Sequence, residues 1–532
     1  MRKIILSASC FLLLLFLIFS CRKEFKRPFW DIDLLAPLVK SSLTINNLVT
    51  NSLVHVNSNN SLDIVYESSL YSFSVDTLFK IADTTMKNAY SLWIPIVLNP
   101  GGILIPPTPN IIKYDLHDVQ LTTVTLRKGK MQLFIRSEIQ EKTVLNYKIP
   151  SAVSPSGIPF SIQVTVPAKT SSSDGYYNET FDLSGYKINL TGLKGDKVNT
   201  MVTSFNAYID SLAPDTVLVH PGDSVVISNK FIDISPDYAK GYFGNSTTTA
   251  GPDSADYTLF NHIIGGNLKF ENINIGLNIE NSIGADVRIT FDTLASYNSR
   301  TKNLVPLQHA IIGSPINITR SVDKGGIVTP STYSVSLNSF NSNIQDFIGN
   351  FPTKLISKLE FEINPLGNVS GGNDFIYYDK LLKTEMNMTI PLSIIANDLT
   401  MADTLDFAMN SGAGNINSGN LYLYAENGFP YTASVQLYAM DSNYGITDSL
   451  FASPNTILSP QLDANYISIG KRLTKLTIPV DASKISLLKN TPKLYIKVRF
   501  NTSGQPNYVK IYSFYEMKIK IVGDFNYTVA KN

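Results

Sequence analysis

A chain of 532 residues exceeds the length of a typical single domain, so several domains are expected. Its residues are 44% hydrophobic and 11% aromatic, which is enough for packed cores and excludes a predominantly disordered chain. The 44 basic and 43 acidic residues give a formal net charge of +1, which provides no long-range field for nucleic acid, so no nucleic-acid partner is expected.

The first twenty residues are typical of an export signal. Arg2 and Lys3 precede a nearly continuous apolar run over residues 4–19. A membrane-spanning helix needs roughly 20 apolar residues, so this run is short for an anchor helix. The pattern therefore favours a cleaved signal peptide over residues 1–20.

Cys21 follows the apolar run directly. Ile18, Ser20 and Cys21 resemble the lipobox, the cleavage site of bacterial lipoprotein signal peptides, with Phe19 in place of the usual small residue. The resemblance implies that Cys21 is a lipidation site, and that its acyl chains tie the mature protein to a membrane. The alternative is a simple secretory signal with an incidental cysteine. The other cysteine, Cys10, lies inside the apolar run and would be removed with it.

Residues 21–29 are predicted to be the lipidated cysteine and a basic tether. The tether contains four basic residues, Arg22, Lys23, Lys26 and Arg27, and one acidic residue, Glu24. On an anionic lipid surface each basic residue would contribute about 1 kcal/mol to membrane binding. The alternative is a solvated tether without lipid contact.

From the tether onwards, apolar and polar residues alternate in short runs separated by turn-forming residues. This pattern predicts an all-β fold of several antiparallel β-sandwich domains in tandem. Residues 30–111 are predicted to form an N-terminal β-region. Three segments rich in Pro, Gly or small polar residues, 99–110, 244–257 and 395–406, are predicted to be domain boundaries.

Between these boundaries the chain repeats a strand–corner–strand pattern. Three stretches share it: KMQLFIRSEIQEKTVLNYKIP from Lys130, NIGLNIENSIGADVRITFDTL from Asn274 and NLYLYAENGFPYTASVQLYAM from Asn420. Their starting points are 144 and 146 residues apart. This even spacing predicts three homologous β-sandwich repeats of about 145 residues. Their predicted ranges are 112–247, 258–397 and 402–532.

The second halves of two repeats agree in another way. Residues 340–365 and 481–501 both read as a short helical turn, a proline and a strand, with Pro352 and Pro492 at the break. The corresponding stretch of the first repeat, 195–210, reads as extended and is predicted to lack the helical turn.

Motifs for catalysis or metal binding are nearly missing from the sequence. The five histidines are not spaced as a zinc site, and no nucleophile elbow or phosphate-binding glycine loop is present, so no enzyme activity and no cofactor are expected. Asp441, Asn443 and Asp448 could supply oxygen ligands to Ca²⁺ around Gly445, although the spacing departs from an EF-type loop. The alternative is a plain hairpin connection. Asp374, in a Gly-rich stretch, is similarly a possible ligand or a turn residue.

Aromatic residues are abundant, with 27 tyrosines and 27 phenylalanines. Three segments place aromatics beside turn residues: TFDLSGY (180–186), SPDYAKGYFGN (235–245) and FIYYDK (375–380). If exposed, these side chains could stack on sugars or form protein-binding hot spots. The alternative is that they fill cores and strand pairs.

Three stretches resemble a group of uncharacterised envelope lipoproteins of Bacteroidota: FWDIDLLAPL (29–38), FNSNIQDFI (340–348) and NPLGNVSGGNDF (364–375). The resemblance implies the outer membrane and no particular reaction. The sequence therefore predicts a lipid-anchored, non-enzymatic binding or scaffolding subunit with envelope or outer-membrane protein partners. The alternatives are a glycan-binding surface lipoprotein and a hydrolase with an unrecognised site. Surface-exported lipoproteins of Bacteroidota resemble one another in an acidic cluster after the lipidated cysteine, so the basic tether favours the periplasmic face.

Overall fold

The computed structural model describes residues 29–45, 53–72, 81–407, 409, 416–502 and 507–530. The predicted signal peptide, Cys21 and the tether up to residue 28 lie outside these residues. Within the described residues, no helix combines the length and the apolar character needed to cross a membrane. The described chain contains 37 strands and two short α-helices, which confirms the prediction of an all-β fold.

The strands of the first part of the chain are Phe29–Thr44 (β1), Val54–Val56 (β2), Leu62–Ser72 (β3), Thr84–Ser91 (β4), Ile96–Leu98 (β5) and Ile103–Lys113 (β6). They are followed by Gln120–Ser137 (β7), Thr143–Val153 (β8), Pro159–Val166 (β9), Gly175–Asp182 (β10), Lys187–Asn189 (β11), Thr200–Ile209 (β12), Val217–Val219 (β13) and Ser224–Tyr242 (β14).

The middle of the chain comprises Ser246–Asp256 (β15), Ile263–Phe270 (β16), Asn274–Asn281 (β17), Val287–Asn298 (β18), Asn303–Pro306 (β19), Pro315–Ile318 (β20), Val322–Asp323 (β21), Val328–Thr329 (β22), Ser331–Leu337 (β23), helix α1 (Ile344–Gly349), Lys354–Ile363 (β24), Asp374–Tyr377 (β25) and Leu382–Pro391 (β26). The last part comprises Ser393–Asp406 (β27), Ile416–Asn427 (β28), Tyr431–Met440 (β29), Ile446–Ser449 (β30), Asn455–Ile457 (β31), Gln461–Leu462 (β32), Ser468–Ile469 (β33), Arg472–Val480 (β34), helix α2 (Ala482–Lys489), Lys493–Thr502 (β35), Val509–Lys510 (β36) and Glu516–Ala530 (β37).

The described residues form two compact units. Unit 1 contains the residues up to 62, residues 261–269 and the residues from 392 onwards, and unit 2 contains residues 63–260 and 270–391. Each unit is built from antiparallel sheets whose inner faces carry the buried apolar side chains. The predicted ranges of the three repeats remain a prediction.

Unit 1 is a β-sandwich. One sheet has the strand order β1-β37-β28-β34, and the other has the order β16-β27-β35-β29, extended by β30, β31 and β36. Apolar residues alternate along the strands as the period of two requires, so that one face of each sheet is buried. The buried row on β28 is Leu421, Leu423 and Ala425, and that on β35 is Leu494, Ile496, Val498 and Phe500.

Unit 2 contains the same arrangement twice. Its first sandwich places β4, β14, β7 and β10 side by side, with β6, β12, β8 and β9 as the second layer, and β11 joins the two layers into one ten-stranded sheet. Its second sandwich has the orders β3-β26-β17-β23 and β15-β24-β18, with β19 and β20 along β18. The strand order of unit 1 therefore recurs in both sandwiches of unit 2, as homologous repeats would require, although their common origin remains a prediction.

The predicted N-terminal β-region does not form a sheet of its own. Strand β1 pairs with β37, β3 pairs with β26, and β4 pairs with β14. The six strands of this region thus belong to four different sheets, and the first described strand pairs with the last.

The three segments predicted as boundaries contain strands rather than irregular linkers, and their role as domain boundaries remains a prediction. Residues 99–110 contribute to β6, residues 244–257 to β15, and residues 395–406 to β27. Strands β6 and β15 lie at sheet edges, where proline is tolerated because an outward N–H needs no partner. The Gly251–Pro252 pair of β15 coincides with an irregularity in its pairing with β24.

The corner after the first long strand of two repeats is held by asparagine. Asn427 Nδ2 donates to the carbonyls of Tyr431 (2.8 Å) and Leu458 (3.1 Å), and its Oδ1 accepts from the N–H of Phe429 (2.9 Å). Asn281 makes the same three contacts, with the residues two and four positions on and with a carbonyl farther along the chain, each at 3.0 Å. The helix–proline–strand prediction is also confirmed, since α1 precedes β24 and α2 precedes β35.

Candidate binding surfaces

The predicted calcium ligands lie in and beside a tight hairpin. Asp441 and Asn443 are in the turn between β29 and β30, and Asp448 is in β30. Asp441 Oδ1 already accepts from the N–H groups of Asn443 (2.8 Å) and Gly445 (2.7 Å). Asp448 Oδ1 accepts from the N–H of Ser449 at 2.7 Å. The segment forms a hairpin between β29 and β30, and the described residues contain no cluster of three or more His, Cys, Asp or Glu that could hold a metal. The calcium site therefore stays a prediction.

Asp374 is a buried strand residue that accepts hydrogen bonds, rather than a turn residue. It begins β25 and is fully buried. Its Oδ2 accepts from the N–H of Phe243 (3.0 Å) and from Asn364 Nδ2 (2.8 Å), and Arg320 Nη1 lies 4.0 Å from its Oδ1. Because a buried carboxylate is costly without such partners, these contacts fix the start of β25 against the end of β14.

Two of the three aromatic segments meet in unit 2, because β14 and β25 pair with each other. The rings of Tyr238 and Tyr377 are 4.8 Å apart, and the Tyr377 hydroxyl donates to Asp323 at 2.9 Å. Burial, followed by the contact with Asp323, raises the pKa of Tyr377 above its usual value. The Arg127 guanidinium lies 3.8 Å from the centre of the Tyr378 ring. Tyr238 and Tyr377 are half-buried, which favours a packing role for them, whereas Tyr378 is 45% exposed.

The third aromatic segment also packs inside its sandwich. Phe160 lies 5.7 Å from Phe181 and 6.0 Å from Tyr186, in edge-to-face geometry. The sequence alternative of core and strand-pair packing thus describes all three segments better than an exposed sugar platform.

A tyrosine cluster, half-buried at Tyr438 and Tyr495 and exposed at Tyr444, lies on the outer face of β29 and β35 in unit 1. Tyr438 and Tyr495 are cross-strand partners whose rings are 6.0 Å apart. Beside them, Lys493 Nζ lies 2.8 Å from Asp406 Oδ1 and 5.2 Å from the ring centre of Tyr444, which is 62% exposed. We call Tyr438, Tyr444, Tyr495, Lys493 and Asp406 the tyrosine cluster. It combines aromatic faces with a cation and a carboxylate, as a sugar-binding surface does.

Several highly exposed apolar residues of unit 2 lie on a two-stranded arm. Strands β5 and β13 pair with each other and join no larger sheet among the described strands. The flanking chain extends this pairing, since Gly222 N–H bonds the Leu92 carbonyl at 2.8 Å and Gly101 N–H bonds the Ile209 carbonyl at 3.2 Å. We call residues 92–102 and 209–223 the apolar arm.

The apolar arm carries large side chains that contact little of the chain itself. Trp93 is 88% exposed and Leu212 is 86% exposed. Three further residues, Ile94, Val97 and Leu218, are 64%, 63% and 46% exposed. Val97 and Leu218 are direct cross-strand partners, so they share one face of the arm. Exposed apolar side chains gathered on one arm make it a candidate interaction site.

The charge on the arm is acidic. Asp210, Asp215 and Asp223 belong to it, and the arm contains no lysine or arginine. Anionic lipid headgroups would be repelled by these carboxylates, so the charge pattern favours a protein partner with an apolar surface and a basic rim. The sequence analysis did not identify this site, although the run SLWIPIVLNPGG, apolar and interrupted by proline, was a signal that could have indicated it.

No protein-family model and no curated protein sequence matches this chain. Among solved structures, one similar chain is a provisionally assigned secreted protein from Parabacteroides distasonis, with 9% identity, a TM-score of 0.27 and coverage of 92% of this chain and 99% of that chain. Another is the VP2 subviral particle of infectious bursal disease virus, with 10% identity, a TM-score of 0.10 and coverage of 86% and 83%. These TM-scores are low, so neither likeness supports a statement about fold, function or origin.

Proposed function

We propose that this protein is a lipid-anchored, non-enzymatic binding subunit of the cell envelope that docks a protein partner through the apolar arm. The observation that carries the proposal is the exposure of Trp93 and Leu212 on a ribbon that joins no larger sheet. A two-stranded ribbon is only marginally stable in water, and burial of its apolar face against a partner would stabilise it. Tryptophan is also among the residues that most often dominate protein interfaces.

The docking role is tested with a double variant, Trp93→Ala with Leu212→Ala. The mature protein is purified from detergent-solubilised envelopes, its partner is identified by mass spectrometry, and binding is repeated with both proteins purified. Truncation of a hot-spot residue costs at least about 2 kcal/mol, or about 30-fold in affinity, so the double variant should bind roughly 700-fold more weakly if the two losses add.

Phe340 provides the matched control, because it is 100% exposed but lies in unit 2 outside the apolar arm. Phe340→Ala should bind the partner like the wild-type protein. Equal loss of binding in the control and the double variant, or full binding by the double variant, would contradict docking through the arm.

The proposed anchor is Cys21. The apolar run of residues 4–19 and Ser20 support it. The N-terminal peptide of the mature protein should carry the mass of a diacylglycerol, and the protein should partition into detergent. Cys21→Ala should remove the acyl mass and leave this site uncleaved. A wild-type protein without acyl mass at residue 21 would refute the anchor.

The proposed location is the periplasmic face of the outer membrane. The basic tether supports it, because basic residues suit anionic headgroups and the acidic export pattern is missing from residues 22–27. Protease added to intact cells should leave the protein whole, and permeabilised cells should lose it. Degradation in intact cells that protect a periplasmic control protein would place it on the surface.

A second candidate function is glycan binding at the tyrosine cluster. The observation in its favour is that Tyr438, Tyr444 and Tyr495 gather on an outer sheet face beside Lys493 and Asp406. Affinity electrophoresis in gels containing envelope polysaccharides would test it with Tyr438→Ala and Tyr495→Ala. Retardation that both variants abolish, and that Phe340→Ala preserves, would favour this function over protein docking.

A further inference from the structure

A cavity of about 140 Å³ lies inside unit 1, between the end of β1 and the inner faces of β27 and β35. Its floor includes Phe429, Val498 and Phe500, which are buried. Its mouth includes His262 and Asp403, which are exposed. The cavity is therefore apolar inside and polar where it meets solvent.

The register of β27 and β35 explains this change from apolar to polar. Leu399 pairs with Phe500, Met401 pairs with Val498, and Asp403 pairs with Ile496. Residues two apart on a strand share one face, so Leu399, Met401 and Asp403 form one row that ends in a carboxylate. The row supplies an apolar wall with a charge at its outer end.

A comparable opening occurs at the equivalent place in the first sandwich of unit 2. There a cavity of about 190 Å³ is lined by Ser91 at the end of β4 and by Asp223. The Asp223 carboxylate accepts from the N–H of His220 at 2.8 Å and lies 3.5 Å from its Nδ1. In unit 1, Asp403 accepts only from the N–H of the next residue, at 2.8 Å, and forms no ion pair with any described residue. Of the two cavity carboxylates, Asp403 in unit 1 therefore makes fewer contacts with charged or titratable side chains than Asp223 in unit 2.

We propose that the cavity of unit 1 binds an amphiphile that places an apolar group of about six carbon atoms inside and a cationic head at Asp403. The size follows from the volume, because an engineered cavity of about 150 Å³ with an apolar lining accepts benzene. The cationic head group is inferred from the negative charge of Asp403 at the mouth of the cavity, where His262 also lies. This proposal is independent of docking through the apolar arm, which belongs to unit 2.

Linear amines of increasing length provide the probes. Burial of one methylene is worth about fourfold in affinity, so hexylamine should bind the mature protein about 15-fold more tightly than butylamine. Octylamine should gain less than fourfold per further methylene, because its extra carbons would remain outside the cavity. Titrations followed by NMR or calorimetry measure these ratios.

The charge of the head is tested with hexanoate, which has the same carbon count. An exposed ion pair contributes up to about fivefold, so hexanoate, which cannot form it, should bind about fivefold more weakly than hexylamine. Asp403→Asn should remove this preference. If hexylamine and hexanoate bind equally to the wild-type protein, the proposed head group is wrong.

The location is tested by filling the cavity. Met401 is half-buried on its wall, and Met401→Trp should weaken hexylamine binding at least tenfold. Leu405→Trp is the control, because Leu405 is half-buried on the same strand and does not line the cavity. Unchanged binding by a folded Met401→Trp protein, or equal affinity for butylamine and hexylamine, would overturn the proposal. If Met401→Trp fails to fold, the chain-length series and Asp403→Asn decide it.

Discussion

Replacement of Asn427 by alanine is expected to destabilise unit 1 strongly, because the side chain holds the corner between β28 and β29. Asn427 is fully buried and makes three hydrogen bonds to backbone groups, at 2.8, 2.9 and 3.1 Å. The variant would leave the Tyr431 carbonyl and the Phe429 N–H buried without these partners. The Leu458 carbonyl belongs to a residue that is 41% exposed, so water can replace that contact.

The magnitude follows from the two buried groups. Each buried polar group that loses its partner costs roughly 1–3 kcal/mol, so the expected loss is about 4 kcal/mol. A loss of this size is large, since whole domains are stable by only about 5–15 kcal/mol. Water that entered the truncated corner could satisfy the same groups and would reduce the loss.

Hydrogen exchange followed by mass spectrometry measures this effect for each unit separately. Peptides from β28 and β29 report the opening free energy of unit 1, and peptides from β17 and β18 report that of unit 2. Asn427→Ala should lower protection in the first pair of strands only. Asn281→Ala should do the reverse, because Asn281 makes the same contacts in unit 2.

Asn417 provides the matched control. It lies on β28 and is exposed, and its side chain bonds Thr528 and Asn526 near the chain surface. Asn417→Ala should change the opening free energy by less than about 0.5 kcal/mol, as is usual for surface positions. A loss below about 1 kcal/mol for Asn427→Ala would refute the corner argument, because it would mean that the three bonds are replaced without cost.

Three further predictions follow from particular contacts. Gly241→Ala should destabilise unit 2 by about 3 kcal/mol in thermal unfolding. The reason is that an added Cβ would lie 2.1 Å from the backbone carbonyl oxygen of the first residue of β7. A variant as stable as the wild-type protein would show that β14 can shift away. The hydrogen bond from the Ser224 hydroxyl contributes most to lowering the pKa of Glu138. The ionised carboxylate therefore stabilises the folded protein at pH values above the unfolded pKa. This contribution is lost as the pH falls through the lower pKa of the folded state. Glu138→Gln should therefore lower the urea midpoint more at pH 7 than at pH 3, and an equal difference at both would contradict this. Burial raises the pKa of Tyr147 and Tyr431, so both should remain protonated in the folded protein at pH 11. The free energy of unfolding should therefore fall as the pH rises above 10, where these tyrosines ionise in the unfolded chain. Absorbance at 295 nm should show a group of tyrosines that ionise only on unfolding.

The sequence by itself determined the local elements. The period-two alternation predicted strands and their buried faces, and the structure confirms an all-β fold. The proline after a short helical turn was equally readable, because Pro352 and Pro492 cannot continue a helix and precede β24 and β35. The corners at Asn281 and Asn427 also stood out as polar breaks between apolar runs.

The candidate sites depended on contacts that local patterns do not contain. Trp93 lies in a run that reads like a buried strand, yet it is 88% exposed because β5 pairs only with β13 among the described strands. Asp374 lies among turn-forming residues, yet it is fully buried, because β25 pairs with β14. Each outcome depends on which strand lies alongside.

Only the tertiary structure decided the strand partners. Phe29 pairs with Ala530, at the opposite end of the described chain, and the strands of the N-terminal region join four different sheets. Segments that read as linkers became β6, β15 and β27, and at β6 and β15 an edge position tolerates proline and glycine that a central strand would not. Alternation states which face of a strand is buried, but it does not specify the partner, since the hydrogen bonds of a sheet join residues that are distant in sequence.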